Sequence, residues 1–554
     1  MAVASEWRRP LRATQAKPYA LNVTLSAVSV AAFVVAANLA VGGWMNSEGF
    51  RAIDGISRAA SALGVVHGTD PHLGAVGFVW MPLPTLLELP IVAFFPLWPE
   101  VASSGFASTL VTALAGGLTA GLLILAGRRL GVGLGLSSAF AIAVASSPMI
   151  LLYGGNGMSE GVAAPFLVGS VVGLTLFWRT GQRRWVAAAG IALGLATATL
   201  YEAIPFGAAL GASLVVVALW GRRPLRAPHG RWRATQALGI LLILPAAYVG
   251  AMWIAANWII TGDPLYFASS EYSNSAHTAS REGGAFEVAG SWWASLVYLL
   301  ERLWPFLPPI AALLVVRLIE RRLARAETAA LLALALAVPV GLFWPLLEGG
   351  LSYGWLRFFM YPLLVAAGWG LYEIATSSRR RRAAALVLLG WAVAVPTTLW
   401  AMWQPELGQE EHIVVRGLWR GFDGAAVGFA DPIDLAAPVA RFVEELPLEG
   451  DQSVMVESFR GYAIMVQMPP GFPLMGTADR RFRSALADPG RERVRYVVAT
   501  DHPNGLPDAI SRARPRLWSG EEPGFRFVRE FAEPGEGVRW KVFEVSPDAR
   551  VLAE

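Results

Sequence analysis

From residue 20 to residue 403 the chain is made of long apolar runs separated by short polar clusters, and beyond residue 403 that pattern stops. Uncharged runs of about 18–24 residues match the length an α-helix needs to cross roughly 30 Å of hydrocarbon. About eleven such spans are readable, near 20–43, 104–127, 131–149, 160–178, 185–201, 203–220, 236–260, 304–320, 328–346, 357–376 and 383–403. Arg8, Arg9, Arg12 and Lys17 precede the first run, as they would a signal peptide. It is longer than a signal core, has no obvious cleavage site before Glu48 and is followed by many more spans, so it reads as a retained helix.

The connections alternate in basic content. One set holds Arg128/Arg129, Arg179/Arg183/Arg184, Arg222/Arg223/Arg226/Arg231/Arg233, Arg317/Arg321/Arg322/Arg325 and the run Arg379–Arg382, whereas 44–103, 150–159, 261–303 and 347–356 carry few. Lysine and arginine near span ends stay on the cytoplasmic side, so the N-terminus is expected inside the cell and residues 404–554 outside it. Residues 81–98 are apolar enough to be a further span, but counting them as one would invert every later basic cluster. Pro82, Pro84, Pro90 and Pro96 also oppose an unbroken helix. The segment is expected to be re-entrant or surface-lying. In Gly49–Leu63, Phe50, Ile53, Ile56, Ala60 and Leu63 recur at helical spacing with Glu48, Arg51, Asp54 and Arg58 on another face, the pattern of a helix lying in the membrane interface.

Past residue 403 strand-like runs at Ser453–Val456, Phe472–Met475, Val494–Ala499, Phe525–Phe531 and Trp540–Val545 alternate with helix-like stretches at Pro432–Glu445, Phe459–Gln467 and Ala478–Asp488. The fold class expected is therefore an α-helical polytopic membrane protein, residues 1–403, with a linker at 404–430 and a C-terminal extracytoplasmic α/β domain at 431–554. Composition agrees: 55% of the 554 residues are hydrophobic and 16% charged, against roughly a quarter charged in soluble proteins. A net charge of +4 gives no support for nucleic-acid binding, and the lack of cysteine excludes disulfides, thiolate metal sites and a cysteine nucleophile.

Ionisable groups at span ends are expensive and are functional candidates. Glu48 follows the first span, with Asp54 one to two helical turns on; either carboxylate suits a general base, and Glu48 equally suits the first turn of a surface helix. Asp70 and His72 flank a proline on the same loop, as a turn or as a polar contact to substrate. Six histidines without an HxH or HExxH pattern leave a divalent metal possible but unsupported. Trp80 is expected to shape a lipid-facing groove. Glu160 opens a helix after the glycine turn Tyr153–Ser159, either as a helix-start acid or beneath the cavity that holds Glu48. Tyr201 and Glu202 join two apolar runs with almost no loop. Arg357 stands at a span start beside Tyr353, Trp355 and Tyr361, suited to phosphate oxygens or to snorkelling in an aromatic belt. Asp263–Pro264 reads as a turn. No Walker loop, dinucleotide fingerprint or GxSxG is present.

The order of SEGFRAIDG, VWMPLPTLLELP, SSPMILLYGGNGMSE, WIITGDPLYF and LRFFMYP resembles the GT-C superfamily of integral-membrane glycosyltransferases, over most of residues 20–376. It is nearest the protein O-mannosyltransferase, aminoarabinose-transferase and actinobacterial arabinosyl- and mannosyltransferase branches. The resemblance implies a polyprenyl-phosphate sugar donor, inversion at the anomeric carbon, a glycan, lipid or protein acceptor, and action at the outer face of the cytoplasmic membrane. It assigns Glu48 or Asp54 as first-loop acid, Glu160 as second-loop acid and Arg357 as a lipid-phosphate contact. Many relatives carry two adjacent acids after the first span, which this chain does not. The alternatives are a polytopic transporter or lipid flippase without transferase activity, for which broken or charged helices at mid-membrane are expected, and a non-catalytic scaffold.

Overall fold

The computed structural model describes residues 16–221, 230–270, 272–274, 276, 286–348, 352, 354–421, 431–500, 508–532 and 539–546. The chain opens with α1 (Ala16–Ser47), α2 (Ile53–His67), α3 (Leu83–Val92), α4 (Glu100–Ser103), α5 (Phe106–Leu130) and α6 (Leu134–Ala145). It continues with α7 (Pro148–Gly155), α8 (Ser159–Thr180), α9 (Arg184–Thr197), α10 (Ala203–Trp220), α11 (Arg231–Thr261) and α12 (Tyr266–Ser269). Helices Trp292–Leu303, Pro308–Ile319, Ala326–Glu348, Tyr361–Thr376, Arg380–Trp403 and Glu410–Arg420 complete the apolar part.

Among the described residues, eight helices are long and apolar enough to cross a membrane. The other three expected spans depart from straight helices. α6 and α7 meet at 73° and Trp292–Phe306 meets Pro308–Ile319 at 74°, each at a proline that can start a helix but cannot continue one. α9 has only 14 residues, about 21 Å at 1.5 Å per residue, short of the roughly 30 Å hydrocarbon core. α3 has 10 residues and opens just after Pro82, so the 81–98 segment does not form a spanning helix.

The bundle is tight because small residues let backbones meet. A Cβ on Gly42 of α1 would lie 2.1 Å from the Gly155 carbonyl oxygen. The turn between α7 and α8 depends on Gly157, at φ +80° and facing Ser108, a conformation costly for any residue with a Cβ.

The in-plane helix expected near 49–63 is α2, and protein covers most of its apolar side, Ile53 remaining exposed. Ile56, Ala60 and Leu63 belong to one buried cluster with Val92 of the α3 segment and with Ile433, Val439 and Ile464 of the C-terminal domain. An amphipathic period reports that one side is covered without saying by what, and here protein covers it. Charged contacts reinforce the seam: Arg51 pairs with Asp431, and lies 3.7 Å from Asp434, while Thr69 donates to Asp479 at 2.9 Å.

The domain is a five-stranded mixed sheet, β1 (Ser453–Val456), β2 (Leu474–Met475), β3 (Val494–Thr500), β4 (Phe525–Ala532) and β5 (Arg539–Val545), in the order β2-β1-β3-β5-β4. β1 is parallel to β2 and β3, and β5 is antiparallel to β3 and β4. Helices Pro432–Glu444 and Phe482–Ala487 fall within the stretches expected to be helical, and Ser458–Met465 begins one residue before its own. The expected linker begins instead with the helix Glu410–Arg420; residues 422–430 of it lie outside the described residues.

At the bundle end away from the domain, Glu373 accepts from Arg317 at 3.1 Å, from Arg322 at 2.5 Å and from Trp369 at 3.3 Å. Arg317 also donates to Thr328 at 2.9 Å. All of these side chains are buried. Glu373→Ala would leave two guanidinium groups without their counter-charge and should cost about 3–5 kcal/mol, read as a lowered unfolding midpoint of the purified protein in detergent.

Candidate active site

At the domain end of the bundle, a one-turn 3-10 segment, Leu356–Phe359, precedes the helix Tyr361–Thr376. Its Arg357 is 4% exposed and is the hub of the site. Nη1 donates to Glu410 Oε2 at 2.7 Å, Nε lies 3.0 Å from Glu160 Oε1, and Nη2 lies 3.8 Å from Asp54 Oδ2. The Nε contact lacks hydrogen-bond geometry and is purely a charge contact. One face of the guanidinium stacks on Trp355, 3.9 Å from the ring centre, and the Trp355 indole in turn donates to Gln409 at 2.7 Å. Arginine fits this place because its planar fork serves several oxygens while its flat face packs on a ring.

Each acid is delivered by a local feature of its segment. Asp54 and Glu160 lie in the first turns of α2 and α8, where the helix end favours negative charge. Glu410 and Glu411 open the helix that follows the last span. Glu411 is 1% exposed and accepts from the Tyr153 hydroxyl at 2.7 Å. Burial pushes the Glu410 carboxyl up to about 7; the Arg357 charge opposes this and Glu411, Asp54 and Glu160 add to it. Burial likewise pushes Glu202, just before α10, up to about 7; the helix-end N–H opposes this, Glu160 adds to it and Arg357 opposes it. Burial raises Glu411 as well, and the Tyr153 hydrogen bond opposes that rise. The Tyr361 hydroxyl is buried beside these groups with no hydrogen-bond partner among the described residues. Among the described residues no group of three His, Asp or Glu side chains is arranged to hold a metal ion.

Of the residues singled out from the sequence, Asp54, Glu160 and Arg357 meet, and Glu202 senses the same charges. Glu48 does not join them: it is exposed, and its carboxylate makes no hydrogen bond or ion pair among the described residues. Asp70 is engaged elsewhere, by the Arg480 side chain and, at 3.0 Å, by its backbone N–H. Those contacts hold the Asp70 carboxyl well below its ordinary range. His72 Nδ1 sits 2.6 Å from the Asp70 carbonyl oxygen within the loop, and Asp70 ties that loop to the domain through Arg480. Trp80 is 47% exposed. Tyr201 ties its turn to the first loop, donating to the Val79 carbonyl at 2.6 Å and stacking on Phe267. Tyr353 lies outside the described residues. Asp263 accepts from the Leu265 N–H at 2.8 Å, a turn as expected.

Sequence reasoning missed Glu410, Glu411 and the role of Tyr153. The readable signal was the adjacent pair Glu410–Glu411 opening an amphipathic stretch directly after the last span, where an isolated acid would be an ordinary helix-start residue.

No protein-family model matches the chain, and no curated protein sequence matches it. Solved structures do. ArnT from Cupriavidus metallidurans bound to undecaprenyl phosphate is 16% identical, over 95% of this chain and 98% of that one, with a TM-score of 0.50. Its apo form is 18% identical over the same shares, with the same TM-score. The apo oligosaccharyltransferase of Archaeoglobus fulgidus is 11% identical over 91% of this chain and 71% of that one, with a TM-score of 0.40. The likeness to ArnT shows that this chain shares the fold of that protein.

Tyr153→Phe leaves the buried Glu411 carboxylate without its donor and should cost about 1–3 kcal/mol. A carboxyl raised by burial loses stability as pH climbs from its unfolded value through its folded one. Removing a bond that opposes the rise therefore makes the loss greater at alkaline pH than at acid pH, which denaturation in detergent across the pH range measures.

Proposed function

We propose that this protein is a membrane glycosyltransferase that moves a sugar from a polyprenyl-phosphate donor to a hydroxyl of a glycan, lipid or protein acceptor. The observation that carries the reading is the convergence of Asp54, Glu160 and Glu410 on one buried guanidinium beneath the C-terminal domain. It occurs in a chain with the fold of ArnT, whose structure holds undecaprenyl phosphate.

In the proposed reaction the acceptor oxygen attacks the anomeric carbon and its proton passes to a carboxylate. The bond from that carbon to the phosphate oxygen breaks, and the electron pair leaves on polyprenyl phosphate. Asp54 suits the base: its side chain is 45% exposed, against 6% for Glu160, so an acceptor can reach it. Glu48 is the other first-loop acid, and its exposure leaves it reachable from solution but away from Arg357. Arg357 is the cation placed to offset charge developing on the leaving phosphate. Glu160 holds the guanidinium from its buried side. Arginines 128, 129, 317, 322 and 379–382 lie at span ends or in the connections beyond them. Under the rule that keeps basic connections cytoplasmic, the acids and the C-terminal domain then stand at the outer face.

Loss of a positioned general base typically costs about 10²–10⁴ in rate. Asp54→Asn should lower transfer by that order while leaving the folded yield unchanged, and Glu48→Gln should stay near wild type. The assay follows release of undecaprenyl phosphate from its mannosyl, arabinosyl and aminoarabinosyl forms in proteoliposomes. Full activity in both variants would remove the first-loop acid from the mechanism.

A further inference from the structure

Arg357 is already spoken for. Nη1 donates to Glu410, and Nε and Nη2 each have a carboxylate within 4.0 Å, so a phosphate that takes the Nη1–Nη2 edge meets Glu410 already bonded there. The three acids differ in how firmly they are held. Glu160 is 6% exposed within the packed start of α8. Asp54 is farthest from the guanidinium, at 3.8 Å. Glu410 makes the shortest contact, 2.7 Å, yet its side chain is 35% exposed and Arg357 is its one hydrogen-bonding or ionic partner among the described residues. Its neighbours on the same turn are anchored independently, Glu411 by Tyr153 and Gln409 by Trp355. The Glu410 side chain can therefore swing away while the backbone of its helix stays in place.

We propose that Glu410 is a resident anion that holds the phosphate position on Arg357 until the donor displaces it, so that the segment joining the last span to the C-terminal domain gates donor entry. This rests on the polyprenyl-phosphate reading above and assigns a regulation to that same site. The charge balance favours it: three carboxylates against one guanidinium leave a surplus of negative charge, which a phosphate enlarges unless one acid withdraws or takes up a proton. The groups facing Glu410 are Arg357, Glu411, Asp54, Glu160 and Tyr153. Desolvation and the neighbouring acids raise the Glu410 carboxyl while Arg357 opposes the rise, so its hold on Arg357 weakens as pH falls and strengthens as pH climbs.

The experiment measures binding of undecaprenyl phosphate to the full chain in detergent at about pH 6 and about pH 8, for wild type, Glu410→Gln, Glu410→Ala and the exposed neighbour Glu406→Gln as control. Both Glu410 variants should bind about tenfold more tightly than wild type at the higher pH, the factor by which occupancy of the site by its own carboxylate lowers apparent affinity. The gap should shrink at the lower pH. Second ionisation of the phosphate, near pH 6, affects every protein alike and cancels in the comparison. In turnover, the donor KM should fall in Glu410→Gln. Glu410 variants that bind no more tightly than wild type, with the same pH slope, would overturn the gate while leaving the donor reading standing. Failure of every protein to bind at either pH would overturn both.

Discussion

A single guanidinium holds together parts of the chain that are far apart in sequence. Asp54, Glu160, Arg357 and Glu410 come from the first loop, the start of α8, the start of a late span and the segment after the last span. Carboxylates gathered without a cation repel one another, and a buried cation without carboxylates is costly to desolvate. The two costs offset each other in part when the segments come together. The same residues whose chemistry supports the proposed function thus fix the relative positions of the spans at that end. A comparable knot at the opposite end, Arg317 and Arg322 on Glu373, ties the late helices to one another.

Much of this was readable in the sequence because membrane burial writes a coarse signal. Apolar run length located each of the expected spans as a helix or helix pair, and each strand-like run past residue 450 contains or falls within a strand of the sheet. Three of the acid-site residues, Asp54, Glu160 and Arg357, stood out because charge beside a span is rare. What could not be read was shape and company. Run length does not reveal that Pro148 and Pro308 break their spans sharply, nor that α9 is short. The period in α2 shows a covered side, yet lipid and a folded domain cover apolar residues equally well, and the domain proved to be the cover. Asp70 and His72 have the residue types of a binding pair, but the choice between a clamp and a pocket was made by Arg480, some 410 positions away.

The C-terminal domain is therefore part of the membrane module rather than an appendage. Arg51 and Asp431, Asp70 and Arg480, and the shared cluster of Ile56, Leu63, Ile433 and Ile464 pin it over the first loop. The segment leading to it supplies Glu410 and Glu411 from below. A structure clamped from both directions at one rim keeps its polar groups registered against one another even where the surrounding lipid gives no hydrogen bonds.

The shortness of α9 has a consequence for the solvent around the bundle. A helix about 21 Å long cannot match a hydrocarbon layer roughly 30 Å thick, so the bilayer beside it thins or its flanking turn is drawn inward. Glu202 sits in that turn. Either response brings headgroups and the turn at Glu202 to one depth, nearer the bilayer centre than beside a full-length span.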